Sequence, residues 1–246
     1  MNTLRAQLFI ALTLVALDSI CGVARAGPGM GSAFPLAKGT YWVYQGSLTW
    51  TPQGSNEVRE ETVTWKMEVL ETFSHGWVTA ALVKGHPDDL WSYKEGRKPG
   101  EYLIIEVASD KFYLLEGERC KKALEHLRDA KDLLQGLVKE SDLFLELPLK
   151  VGKPFGETEM LTRQDLFYRW WIEEKLETDL TDVKGSPFSG KVASYRITYR
   201  ALSDHTSIEF VSGLGIIRYT GAHHGTASAI DVKLVEFHPG TDEIGY

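Results

Sequence analysis

Cysteine is nearly absent. The 246 residues hold two, Cys21 and Cys120, and Cys21 falls in a segment that reads as a cleavable leader. A single remaining thiol cannot form an intrachain bridge, so a disulfide scaffold is excluded. Cys120 is read as a small buried residue; no Cys/His signature around it marks a nucleophile. Long apolar runs are missing as well. Leu8–Leu17 spans ten residues, too short to cross a bilayer as a helix. No later run approaches that length, so the sequence predicts no transmembrane segment in the mature chain. Positive charge is in deficit, with 27 Lys and Arg against 34 Asp and Glu and a formal charge of −7. That balance excludes a general nucleic-acid binder, which needs a basic patch to neutralise phosphates. The common catalytic signatures are also lacking: there is no Gly-x-Ser-x-Gly elbow and no His-Glu-x-x-His pair. Gly213-Leu214-Gly215 lacks the third glycine and the following helix of a dinucleotide loop.

What is present begins with an address. Arg5 gives a positive n-region, Leu8–Leu17 an apolar core, and Ala24-Arg25-Ala26 a small-x-small cleavage site. This is the pattern of a secretory signal cut after Ala26. The alternative is a lipid anchor through Cys21, although Ile20 precedes it where such signals place a small residue. Arg5, Arg25 and Asp18 would leave with residues 1–26, a net +1, so the mature charge becomes −8. The expected compartment is periplasmic or extracellular. Residues 27–33, rich in Gly and Ser, are expected to form a flexible lead-in.

The mature chain reads as β. Val63, Trp65, Met67 and Val69 point one way and Thr64, Lys66 and Glu68 the other, the period of a half-buried antiparallel strand. Trp42, Tyr44, Leu48 and Trp50 share a face of the preceding strand, so the two make a hairpin. Further strands are expected at Trp77–Val83, Leu90–Tyr93, Tyr102–Val107, Phe112–Leu115, Phe167–Leu176, Val192–Arg200 and His205–Val211, with Gly and Pro between them. Glu118–Lys139 breaks the pattern: Leu124, Leu127, Leu134, Leu137 and Val138 recur at helical spacing. At the end, Gly213 and Gly215 turn the chain, and Ile216–Tyr219 pairs with Ile230–Phe237. The fold class is therefore mainly β with a helical insert: an antiparallel β-meander, curved into an open sheet or half-barrel, packed on a helix near residues 118–139. One β-rich domain is expected over 34–246.

A short internal echo divides that domain. Phe34-Pro35-Leu36-Ala37-Lys38-Gly39 and Leu147-Pro148-Leu149-Lys150-Val151-Gly152 share an apolar-Pro-Leu-x-x-Gly pattern. It allows two similar halves, 34–117 and 147–246, around the helical insert. With the leader, with Trp42 and Tyr44 after the first echo, and with Val211-Ser212-Gly213-Leu214-Gly215-Ile216, the chain resembles exported bacterial β-rich proteins and lipoproteins. Some of these have open half-barrel sheets like the lipoprotein carriers of the periplasm. The resemblance implies fold and compartment; it defines no activity, no catalytic residue and no cofactor.

Candidate site residues follow from residue type. His205, Glu209, His223, His224 and Asp231 are the possible metal ligands, set on neighbouring late strands. Against a shared ion, His223 and His224 are adjacent and face opposite ways if extended. A hydrogen-bonded turn with Gly225 at positive φ explains the pair as well. The Glu60-Glu61 and Glu173-Glu174 doublets suit a solvated sheet edge better than paired catalytic acids. Among seven Trp, ten Tyr and ten Phe, most are expected in the core and some to line a concave pocket; Trp42, Tyr44 and Trp65 are the candidate ligand-binding residues. The functional expectation is a non-catalytic binding or envelope-associated module for a small apolar molecule, a glycan or an envelope protein. The alternative is a metal-assisted hydrolase built on the C-terminal histidines.

Overall fold

The computed structural model describes residues 32–52, 54–93, 98–129, 136–224 and 228–241. The segment expected to be a leader, with Cys21, residues 27–31 and the expected Gly225-Thr226 turn all lie outside the described residues. Within them run β1 (Tyr41–Trp50), β2 (Arg59–His75), β3 (Val78–Lys84), β4 (Glu101–Val107), β5 (Lys111–Glu116) and β6 (Leu143–Glu146). Then follow β7 (Pro154–Phe155), β8 (Trp170–Asp179), β9 (Lys191–Arg200), β10 (Asp204–Val211), β11 (Gly215–His223) and β12 (Ala229–His238). Helix α1 (Gly117–Asp129) follows β5, and the single-turn α2 (Thr158–Leu161) follows β7.

All twelve strands form one sheet in the order β6-β5-β4-β3-β2-β1-β12-β11-β10-β9-β8-β7, and its ladders are antiparallel. The sheet curls into a nearly closed barrel. It consists of two six-stranded meanders zipped together by β1 and β12. The outer strands β6 and β7 come back against each other but form no ladder. The zipped side is tight: a Cβ on Gly46 of β1 would lie 1.9 Å from the Asp231 carbonyl oxygen of β12. Only glycine lets these backbones approach so closely.

Strand alternation separates two cores. Inward residues such as Trp42, Tyr44, Trp65, Met67, Ile208, Phe210, Tyr219 and Val232 fill the barrel. In β3 and β4, Ala81, Val83, Tyr102 and Ile104 join them, while Ala80, Leu82, Leu103 and Ile105 face the other way. On that outer face α1 lays Cys120, Ala123, Leu124 and Leu127. The spacing of three, one and three residues makes one helical stripe. Leu124 and Leu127, both buried, each contribute about 1.5–3 kcal/mol by leaving water. The helix thus covers the barrel's outside. Residues 130–135, with the expected Leu134, lie outside the described residues; Gly136 (φ +85°) then opens a turn, so the expected helix does not reach Lys139.

Two more boundaries differ from the sequence reading. Leu90–Tyr93 is not a strand: Pro87–Ser92 forms a 3-10 helix. Pro87 pre-sets its first turn, and the His86 imidazole accepts a hydrogen bond from the Asp88 N–H at 3.2 Å. The short edge strands β6 and β7 had no counterpart among the expected strands.

The echoed turns dock alike. The Gly39 N–H donates to the Val69 carbonyl (2.9 Å), and the Val69 N–H donates to the Thr40 carbonyl (2.8 Å). The Gly152 N–H donates to the Ile172 carbonyl (2.8 Å), and the Ile172 N–H to the Lys153 carbonyl (3.1 Å). Both glycines have φ +83°, a conformation that favours glycine. Each receiving strand then carries a bulge directly afterwards, between Val69 and Glu71 and between Ile172 and Glu174.

Candidate functional site

A cleft of about 680 Å³ lies between β5–β6 on one side and β8–β11 on the other. One wall comes from Leu114 and Glu116 of β5 and Phe144 of β6. The other comes from the inward face of β8–β11: Trp170, Tyr199, Asp204, Thr206 and His223. Trp170 and Tyr199 are register partners on β8 and β9, with ring centroids 5.3 Å apart. Arg119 in the first turn of α1 reaches the rim and holds Asp142 at 2.6 Å. His223 Nε2 lies 3.8 Å from an Asp204 carboxylate oxygen.

The 3-10 helix supplies the floor. Its Asp89 is buried and accepts from the Gly100 N–H at 2.6 Å and the Tyr102 hydroxyl at 3.3 Å. This fixes Asp88 and Trp91 beside the barrel wall. The Trp91 indole N–H donates to the Tyr219 hydroxyl (2.9 Å), which donates to Asp88 Oδ1 (2.8 Å). Trp91 packs closely against Gly221 of β11, where a Cβ would stand 2.3 Å from its ring. Burial raises the Asp88 carboxyl above the ordinary carboxylate range; the Tyr219 hydrogen bond opposes this, and Glu116 and Asp89 add to it.

His86 stands behind this floor, its ring 5.6 Å from that of Tyr102 and 6.0 Å from that of Phe144. Burial pulls its pKa down to about 3, so the imidazole is neutral at pH 7. Since Nδ1 accepts from the Asp88 N–H, the proton sits on Nε2. That donor is buried without a protein partner, the kind of group an ordered water or a ligand oxygen would satisfy.

The expected site residues are split between two faces. His205 and Glu209 share an outward groove of about 400 Å³ on β8–β11, together with Glu173, Arg196, Ser207 and Arg218. Its carboxylates are held by arginines. Arg196 bridges Glu174 and Glu209 (3.3 Å to the latter), and Arg218 bridges Glu209 (3.6 Å) and Asp231 (2.8 Å). Burial and Arg200 lower the His205 pKa. His223 faces the opposite side, into the cleft, and exposed His224 sits in the turn beyond β11 with its N–H on the Ser203 carbonyl (2.7 Å). Among the described residues, no three His, Cys, Asp or Glu side chains form a group that could hold a metal.

Trp42, Tyr44 and Trp65 are buried in the barrel core, and none of them lines the cleft or the groove. Their polar atoms are satisfied by backbone carbonyls: Trp42 on Leu214 (2.6 Å), Tyr44 on Ile216 (3.0 Å) and Trp65 on Gly85 (2.8 Å). Sequence reasoning missed Asp88, Trp91, Trp170 and Tyr199. The available signal was Pro87-Asp88-Asp89, whose proline and acidic residues mark a helical first turn.

No protein-family model matches the chain, and no curated protein matches it. Two solved structures show a distant similarity to the chain. One, from Bacteroides fragilis, is described as an exported protein with a YmcC-like fold; it has a TM-score of 0.42 and 9% identity, covering 84% of this chain and 99% of its own. The other, from Parabacteroides distasonis, is described as a lipoprotein, with a TM-score of 0.37 and 10% identity, covering 84% and 98%. Both likenesses are too distant to assign an activity. Among the described residues, no helix is long and apolar enough to cross a membrane.

Proposed function

We propose that this chain is an exported, non-catalytic binding module whose cleft holds a small amphipathic molecule. Export rests on the leader pattern of residues 1–26. Binding rests on one observation: a cleft of about 680 Å³ with aromatic rings on both walls and on its floor, and a few polar groups fixed by their own hydrogen bonds. This is the usual make-up of a small-molecule site. The domain over 34–246 is read as two similar halves, 34–117 and 147–246, supported by the twin turns and twin bulges. On that reading one seam between the halves is zipped by β1–β12, and the other is left open for the ligand. A glycan stacking on Trp170 and Tyr199, or an envelope protein covering the rim, are the competing occupants. The metal-assisted hydrolase gains no specific observation, since arginines occupy Glu209 and Asp231 and His223 faces away from His205.

The test is native mass spectrometry of the exported protein, combined with uptake of the fluorescent amphiphile N-phenylnaphthylamine. Trp170→Ala and Tyr199→Ala should each lower dye affinity about tenfold, the loss of one aromatic contact. Trp77→Ala, on a residue 67% exposed elsewhere, should leave affinity unchanged. Equal binding by all three variants would remove the cleft as the site.

A further inference from the structure

We infer that the molecule held in the cleft carries a positive charge: an amine or quaternary ammonium head on an apolar body. The inference rests on the cleft being the binding site. Four carboxylates face the cleft, Asp88, Glu116, Asp142 and Asp204, against two basic side chains, Arg119 and His223. Arg119 is committed to Asp142 at 2.6 Å, and His223 stands 3.8 Å from Asp204. Asp88 and Glu116 have no basic side chain in ion-pair contact among the described residues. They are close enough for Glu116 to disfavour the Asp88 anion. Asp88 is held in place by the Tyr219 hydroxyl and cannot swing out to solvent without losing that bond.

Three ligand types can be compared. An anion would meet uncompensated carboxylates at the floor and rim. A neutral molecule would bury Asp88 further and leave its repulsion with Glu116 in place. A cation relieves both, and its attraction grows as the ligand displaces water from the cleft. The remaining lining suits the same head group, because the faces of Trp91, Trp170 and Tyr199 carry the negative side of the aromatic quadrupole. An ammonium between Asp88, Glu116 and these rings would have its charge matched without a dedicated anion cage. Leu114 and Phe144 offer an apolar wall to the body of the same molecule.

Three probes share one tail and differ in head: dodecyltrimethylammonium, dodecyl maltoside and dodecyl sulfate, each titrated below its micelle concentration by calorimetry. The cation should bind about tenfold tighter than the maltoside and tighter still than the sulfate, a gap on the scale of one desolvated cation–π and carboxylate contact. The gap should shrink with added salt. Glu116→Gln, at an exposed rim position, should narrow it with the fold intact, and Asp88→Asn should narrow it further. Equal affinity for all heads, or tighter maltoside or sulfate, overturns the charge assignment and leaves the cleft as a site. No binding by any probe, or binding that survives both Trp170→Ala and Tyr199→Ala, overturns the cleft itself.

Discussion

Gly221 gives the sharpest test of how the cleft floor is built. It lies in β11 and carries no unusual φ. Replacing a glycine with alanine in such a strand ordinarily stabilises it by about 0.5–1 kcal/mol, because glycine loses more backbone freedom on folding. Here the new Cβ would stand 2.3 Å from Trp91 Cζ2 and 2.8 Å from Cη2. The ring cannot yield cheaply, since its N–H is bonded to Tyr219 and its backbone belongs to the 3-10 helix anchored by Asp89. Overpacking of this kind costs about 1–3 kcal/mol, and displacing the indole forfeits a further ~1 kcal/mol with the Tyr219 hydrogen bond. Set against the backbone gain, Gly221→Ala should still destabilise by about 1–3.5 kcal/mol net, opposite in sign to the backbone expectation. The check is urea unfolding in a cycle with Trp91→Ala. With the ring gone, Gly221→Ala should become neutral or stabilising, so the two changes couple by more than about 1 kcal/mol. Additive losses would show that Trp91 does not press on β11 and that the floor is misplaced.

Other outcomes follow from single groups. His86 has a pKa near 3 when folded, against 6.5 unfolded. The unfolded chain thus binds the extra proton between those values, and its stabilising contribution, full above pH 6.5, is lost as pH falls towards 3. The slope approaches about 1.4 kcal/mol per pH unit in mid-window; urea midpoints at pH 4, 5 and 7 should show it, and His86→Phe should flatten it. Trp42→Phe keeps most of the packing but strips the Leu214 carbonyl of its donor, so it should cost about 1–3 kcal/mol in thermal or urea unfolding; a loss below 0.5 kcal/mol on that scale would remove the bond from the account. Cys120 lies on the buried face of α1, and burial pushes its thiol up to about 11. It should resist iodoacetamide in native protein and react on unfolding, and rapid native labelling would mean that α1 does not stay seated.

The sequence exposed the fold unevenly, and for physical reasons. Val63–Val69 declared itself because one face is buried and the other solvated, so period two is written into residue type. The edge strands could not do so: Pro154–Phe155 offers two residues, and Leu143–Glu146 is buried along its first three. Leu90-Trp91 was misread because an apolar pair bounded by turns looks the same in a 3-10 helix and a strand. The histidines were visible as residues, but their faces were not. His205 is the second residue of β10 and His223 the last of its partner β11, yet one points outward and the other inward, because the register sets Asp204, not His205, opposite His223. The cleft was the least legible feature, since its lining comes from segments spread between Asp88 and His223. The aromatic count did not say which rings belong to the core with a carbonyl to bond, as Trp42, Tyr44 and Trp65 do.

The unequal seams also fix how the molecule can deform. Separating β1 from β12 means breaking a ladder that runs from Tyr41 to Thr49. Parting β6 from β7 breaks no ladder, and across that gap the Lys153–Glu146 ion pair at 3.3 Å is a weak tie. A ring split on one side yields by flexing opposite the split. The β1–β12 seam, with the Gly46 contact at its centre, is therefore the spine of the molecule. Any force that spreads the cleft is carried there as bending, so the stiffness of one backbone crossing sets how wide the mouth opens.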